Sequence, residues 1–205
     1  MTDRDIEQDI DWGGLYRANV AALTALAADL DDTTLATPVP ATPAWTVHDV
    51  LGHLAGGAAD AVSGRMDGAP GPGWTARHVA ERHGVPVTAI TDELAANEDA
   101  IATSSVDNPR PAIVWDIAVH HADLHEALGR GALPEALWAP VLDQVASWKL
   151  GTAGLPDGVD GYELFRGLFS RRSRAQMQAW GLPLSAEQLD ELCVFGLRED
   201  DQPVP

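Results

Sequence analysis

The chain has 205 residues, of which 45% are hydrophobic and 21% charged, so it can bury the core of a domain and is unlike core-poor disordered chains. Its 31 acidic and 13 basic residues leave a net charge of −18, which argues against nucleic acid and anionic membranes as partners. Cys193 is the sole cysteine, which excludes an intrachain disulfide and a cysteine zinc cluster, and its apolar neighbours predict a core thiol.

The first part of the chain has the pattern of two helices joined by a loop. Leucines at helical spacing predict a helix over 12–30. The three prolines of 36–45 require an extended loop. A second helix begins after Thr46, whose hydroxyl can cap it, with Asp49 near the positive end of the helix dipole. We expect this helix to end near Gly64.

The middle of the chain continues the helical pattern. A glycine- and proline-rich loop covers 64–73, and a short helix follows over 75–83. Apolar stripes at helical spacing then predict longer helices over 86–103, 112–128 and 134–150. With no convincing strand, the long helices are sufficient for a four-helix bundle.

A Gly/Pro/Asp-rich stretch over 151–161 suggests a boundary. We therefore expect residues 12–150 to form the bundle and 151–198 a small C-terminal helical extension that packs on it. Within that extension, Ser185 and a glutamine three residues later form a capping box. The acidic segment 199–205 is predicted to be a disordered tail. The predicted fold class is all-α or mainly α.

The histidines point to the chemistry. Asp116 and His120 are four residues apart, so they project from one side of a helix, and His120 lies inside its apolar stripe. His53 lies at the border of the buried face of another helix. Groups this polar are costly in a bundle interior unless something compensates them, and a divalent ion would do so. Alternatively, His53 is an ordinary core histidine and Asp116–His120 a plain helix pair.

Other polar side chains are less informative. Asp123 either orients a metal ligand or is a solvated acid. We expect His121 and His125 at the surface or boundary and His48 exposed, whereas His78 and His83 flank a loop from which they could reach a site. Arginines at 171, 172 and 174 make either helix-end ion pairs or a carboxylate-recognition cluster, with Arg172 and Arg174 taken as cofactor-binding residues. Trp45 and Trp74 are expected to pack, and Trp74 could line a pocket.

Three stretches carry a resemblance to a known family. These are WTVHDVLGHLAG (45–56), VWDIAVHHADLHEALG (114–129) and ELFRGLFSRRSRAQMQAW (163–180). They resemble, in order and spacing, the signature stretches of the mycothiol-dependent maleylpyruvate isomerase family, which belongs to the DinB/YfiT-like metal-binding four-helix bundles. The resemblance covers about residues 12–198.

The resemblance implies a DinB-like bundle with a divalent metal, usually zinc, held by His53, Asp116 and His120. It also implies mycothiol as thiol cosubstrate, in isomerisation of a small electrophile or transfer to it. A hydrolase that uses metal-activated water and a non-catalytic metal-binding bundle remain alternatives. The family's isomerase has Glu where this chain has Asp116, which would place the metal closer to its helix. The C-terminal portion is also shorter than the isomerase's second domain.

The expected partners and location follow from these observations. We expect a small-molecule substrate and a thiol as ligands, and bundle relatives favour a homodimer. Residues 1–11 are acidic and lack the apolar stretch of a signal peptide. No apolar run approaches the roughly 20 residues of a membrane span, so the expected location is cytoplasmic.

Overall fold

The computed structural model describes residues 10–151 and 158–205. The N-terminal segment that was expected to lack a signal peptide lies largely outside this part of the chain. Much of the boundary stretch that follows Gly151 also lies outside it. The regular structure of the described residues consists of helices, with no strand among them, which confirms the mainly α class. Within them, no helix combines the length and the apolar character that crossing a membrane requires.

The elements follow the predicted order. The helices are α1 (Trp12–Ala28), α2 (Asp32–Leu35), α3 (Val47–Ser63), α4 (Pro72–Arg82), α5 (Val87–Ala96), α6 (Glu98–Ser105), α7 (Ala112–Ala127), a 3-10 turn (Glu135–Leu137), α8 (Ala139–Leu150), α9 (Gly161–Leu168), α10 (Arg174–Gln178) and α11 (Ala186–Leu192). The short α2 has no counterpart in the sequence-based prediction.

Helix caps formed as the sequence predicts. Thr46 Oγ1 accepts a hydrogen bond from the Asp49 backbone (3.2 Å), and the Asp49 carboxylate accepts one from the Thr46 backbone (2.9 Å). This reciprocal capping box sets the start of α3, and Gly64 ends it at φ 77°, a left-handed conformation that glycine adopts without strain. The Ser185 cap of α11 is confirmed in the same way.

Two predicted helices are interrupted. The helix expected over 86–103 divides at Asn97, whose side-chain amide donates to the Glu93 carbonyl (2.9 Å) and competes with the helical pattern. The helix expected over 134–150 starts as a 3-10 turn, because Trp138 (φ −135°) leaves helical geometry before α8 begins.

The bundle brings α1, α3, α7 and the divided α5–α6 pair around one apolar core. α1 packs against α5, α6 and α7, while α3 packs against α4, α5 and α7. Gly56 permits the close approach of α4, because a Cβ there would lie 2.6 Å from Cβ and Cγ of His78. This approach places a histidine of α4 against α3.

The C-terminal residues lie on the same core. α9 packs against α8, and residues of α9, α10 and α11 join the apolar cluster. The segment expected to be disordered makes specific contacts: Gln202 is buried, its backbone N–H donates to Gln176 (3.0 Å), and its carbonyl accepts from Gln176 (2.7 Å). The division of the chain near residue 151 stays a prediction.

Candidate metal centre

The structure brings His53, Asp116 and His120 together. His53 Nε2 lies 3.3 Å from Asp116 Oδ2, and His120 Nε2 lies 3.6 Å from Asp116 Oδ1. One ligand atom from each residue lies within 4.8 Å of the other two. Both histidines are buried and the carboxylate is partly exposed. Because His53 is on α3 and the other two are on α7, the packing of these helices creates the cluster.

The spacing of these atoms suits a single divalent ion. Tetrahedral ligands bound at about 2.1 Å lie roughly 3.4 Å apart, close to the two separations found here. Burial alone would raise the pKa of Asp116, but the imidazoles of His53 and His120, with Arg171, lower it to about 2. The carboxylate is therefore ionised at neutral pH, as metal ligation requires.

His78 contacts His53 on the side of the ring that faces away from Asp116, and Asp60 contacts His78 in turn. His53 Nδ1 lies 3.2 Å from His78 Nδ1, and His78 Nε2 lies 2.9 Å from Asp60 Oδ2. Asp60 is buried and also accepts hydrogen bonds from Arg77. If His53 ligates through Nε2, its Nδ1–H donates to His78, which in turn donates to Asp60. Such a chain fixes the tautomer and orientation of a ligating imidazole.

A carboxylate also supports His120. Its Nδ1 lies 2.9 Å from Asp123 Oδ2, although the alignment falls short of a regular hydrogen bond. Asp123 is fully buried, and Arg171 donates to it twice (3.0 and 3.2 Å). Burial would raise the pKa of Asp123, but Arg171 and Arg166 hold it well below its usual range. The structure thus favours the orienting role for Asp123 over the solvated acid.

The structure does not bring the two arginines predicted to bind a cofactor to the metal centre. Arg172 is fully buried and bonded to Glu126 (3.0 Å) and Glu163 (2.6 Å). Arg174 pairs near the surface with Asp190 and Glu199. Both therefore make the ion pairs that were the alternative interpretation. The guanidinium that reaches the site is that of Arg171.

The trio lies in the wall of a cavity of about 540 Å³. Trp45 and Trp74 both line it, which agrees with a pocket role for Trp74. Apart from the ligand trio, the wall is formed mainly by apolar and aromatic side chains, and Arg171 contributes to it. A cavity of this size, with a few convergent polar groups, is typical of small-molecule binding.

The remaining histidines have other surroundings. His121 is buried, not at the surface or boundary as expected, because it faces α1, where its Nδ1 bonds to Asn19 (2.9 Å). His125 is partly buried, at the expected boundary, and His83 is exposed beyond the end of α4. His48 is also partly buried rather than exposed, because its Nε2 lies 2.8 Å from the Val85 carbonyl.

Asp60 is the site residue that sequence reasoning missed, whereas His78 was expected only to flank a loop from which it could reach a site. Asp60 lies within α3, seven residues beyond His53 and so on the same face of the helix, but nothing else in the sequence marks it as a partner. The available signal was Gly56, one turn beyond His53, which marks a place where another segment can approach the helix closely.

Fold and site together define the class: a helical bundle in which two histidines and a carboxylate converge in the wall of a largely apolar cavity. Residues 16–155 match the family described as the mycothiol maleylpyruvate isomerase N-terminal domain. The chain belongs to this family, as the three signature stretches predicted. Comparison with curated proteins and with solved structures finds no significant match.

Proposed function

We propose that this protein is a metal-dependent enzyme that activates a low-molecular-weight thiol such as mycothiol for isomerisation of, or transfer to, a small electrophilic substrate. The observation that carries the proposal is the convergence of His53, Asp116 and His120 at a cavity large enough for a small molecule. Family membership supports the thiol as cosubstrate.

Three protein ligands leave coordination positions open, as in catalytic rather than structural zinc sites. When bound, a divalent ion such as zinc would lower the pKa of a coordinated thiol so that it is deprotonated at neutral pH. Asp123 and His78 orient the two imidazoles, and the apolar wall excludes water from the reacting groups.

The thiol must come from outside the chain. Cys193 is buried in the core, its Sγ lies 3.4 Å from the Gly167 carbonyl, and it does not line the cavity. Burial raises the pKa of this thiol to about 11, so it is a poor nucleophile at neutral pH. A borrowed thiol is therefore consistent with a cavity that the single cysteine of the sequence does not line.

The proposed reaction is conjugate addition. The thiolate sulfur forms a bond to the electrophilic carbon, and the electron pair of the activated double bond moves onto the conjugated oxygen. Rotation of the adduct, followed by loss of the thiolate, returns the thiol and gives the isomer. Protonation of the adduct on carbon gives the conjugate instead.

The test joins elemental analysis of the purified protein with calorimetric titration of mycothiol. We expect stoichiometric divalent metal and thiol affinity in the wild type, and loss of both in His120→Ala. His125→Ala is the matched control, because His125 is on the same helix but outside the site. Metal without thiol affinity would instead favour hydrolysis or a non-catalytic role. Absence of metal after reconstitution would refute the proposal.

A further inference from the structure

Apolar side chains form most of the cavity wall, including the parts that are distant from the metal centre. Six aromatic side chains line it: Trp45, Trp74, Trp115, Trp148, Phe169 and Phe195. At its mouth, Met66 is 45% exposed, Trp148 43% and Phe195 63%. Large apolar side chains exposed around one opening are unfavourable in water unless a ligand covers them.

Inside the cavity, the described residues offer no unpaired Arg or Lys to an anion. Among them, Arg171 is the single Arg or Lys side chain that lines the cavity, and its guanidinium donates to Asp123 and to the Phe169 carbonyl (2.8 Å). Its charge is therefore balanced by a buried carboxylate. Arg110 and Lys149 stack on the Trp148 ring at 4.3 and 4.8 Å, but neither lines the cavity.

A substrate with two carboxylates would meet unfavourable surroundings here. One carboxylate could approach the metal centre, whereas a second one held inside the cavity would lose its water against the aromatic wall without gaining a cationic partner among the described residues. The net charge of −18 also repels anions during approach. A neutral ring, in contrast, gains apolar burial and aromatic contacts along the same wall.

Resting on the proposed function, we propose that the electrophile accepted by this site is neutral and largely apolar, with a body the size of an aromatic ring system, and not a dicarboxylate such as maleylpyruvate. The aromatic wall holds the apolar body, and the electrophilic carbon faces the trio. The exposed side chains at the mouth, Met66, Trp148 and Phe195, are then specificity-determining residues.

A pair of unreactive probes tests this ligand class without the thiol. 2-Acetylnaphthalene and 2,6-naphthalenedicarboxylate share one ring system and differ in charge. In calorimetric titrations of the metal-loaded protein, we expect the neutral probe to bind at least tenfold more tightly. Phe195→Ala should weaken its binding severalfold, whereas Val106→Ala should not, because Val106 is similarly exposed (60%) but outside the cavity. Phe195→Arg should strengthen binding of the dicarboxylate.

Equal or tighter binding of the dicarboxylate would overturn the inference. So would an unchanged affinity for the neutral probe in both Phe195 variants. A second pair, dimethyl fumarate and fumarate, separates the two proposals when mycothiol is present. A larger acceleration of thiol addition to fumarate than to dimethyl fumarate, each measured against the protein-free reaction, would refute the ligand class and leave thiol activation intact. Binding of the neutral probe without acceleration of thiol addition to either acceptor would instead refute the proposed function.

Discussion

Replacement of His78 by leucine tests the support behind His53. His78 is fully buried, so no water can take the place of its Nδ1 when the imidazole is removed. The Nδ1–H of a ligating His53 would then be buried without an acceptor, and the ring would lose its fixed orientation. Loss of such an outer partner typically lowers metal affinity about 10–100-fold, which is roughly 1.4–2.7 kcal/mol.

Metal affinity should be measured by competition with a chelator of known affinity, at one pH, with circular dichroism to verify the helical content. His48→Leu is the matched control, since it removes a histidine from the same helix as His53 that bonds only to a backbone carbonyl. His78→Gln should restore part of the affinity, because its amide oxygen can accept the proton of Nδ1. The reasoning is refuted if His78→Leu binds metal as tightly as the wild type, or if His48→Leu loses as much affinity.

Three further predictions concern stability. Gly56→Ala should lower the free energy of unfolding in urea by about 1–3 kcal/mol, because the new Cβ would lie 2.6 Å from His78 atoms. Gly57→Ala, whose nearest contact would be 3.7 Å, should be neutral or stabilising. Equal effects of the two substitutions would contradict the packing of α4 on α3. Asp123→Asn should cost about 3–5 kcal/mol, because the buried Arg171 loses its carboxylate partner and Arg166 keeps Glu126 alone of its two carboxylate partners. The exposed Asp190→Asn should cost at most about 1 kcal/mol, and a small loss at Asp123 would refute a structural role for its charge. Burial lowers the pKa of His121 from 6.5 to about 3, so the unfolded chain binds a proton that the folded chain does not as the pH falls through 6.5. The free energy of unfolding should therefore fall by about 1 kcal/mol between pH 7.5 and 5.5 because of this residue. His121→Gln should remove this part of the pH dependence.

Local patterns in the sequence were sufficient for the helices and for part of the site. The capping box at Thr46 and the four-residue spacing of Asp116 and His120 depend on residues within a turn of each other, so their geometry follows from the helix itself. His53 is on a different helix and no spacing rule connects it to the other two. Its position at the border of a buried helix face made it a candidate, the resemblance assigned it to the ligand set, and the structure brings it within reach of the other two residues.

Tertiary structure alone decided which polar groups are buried and with what partners. The contact of His53 with His78 joins residues 25 apart in the chain, and that of Arg171 with Asp123 joins residues 48 apart. A cluster of arginines in the sequence has the same appearance whether its charges face a ligand or a buried carboxylate. The sequence determined that these side chains are charged. The approach of segments distant in the chain determined which charges are balanced internally, because that balance depends on distances of a few ångströms that no local pattern encodes.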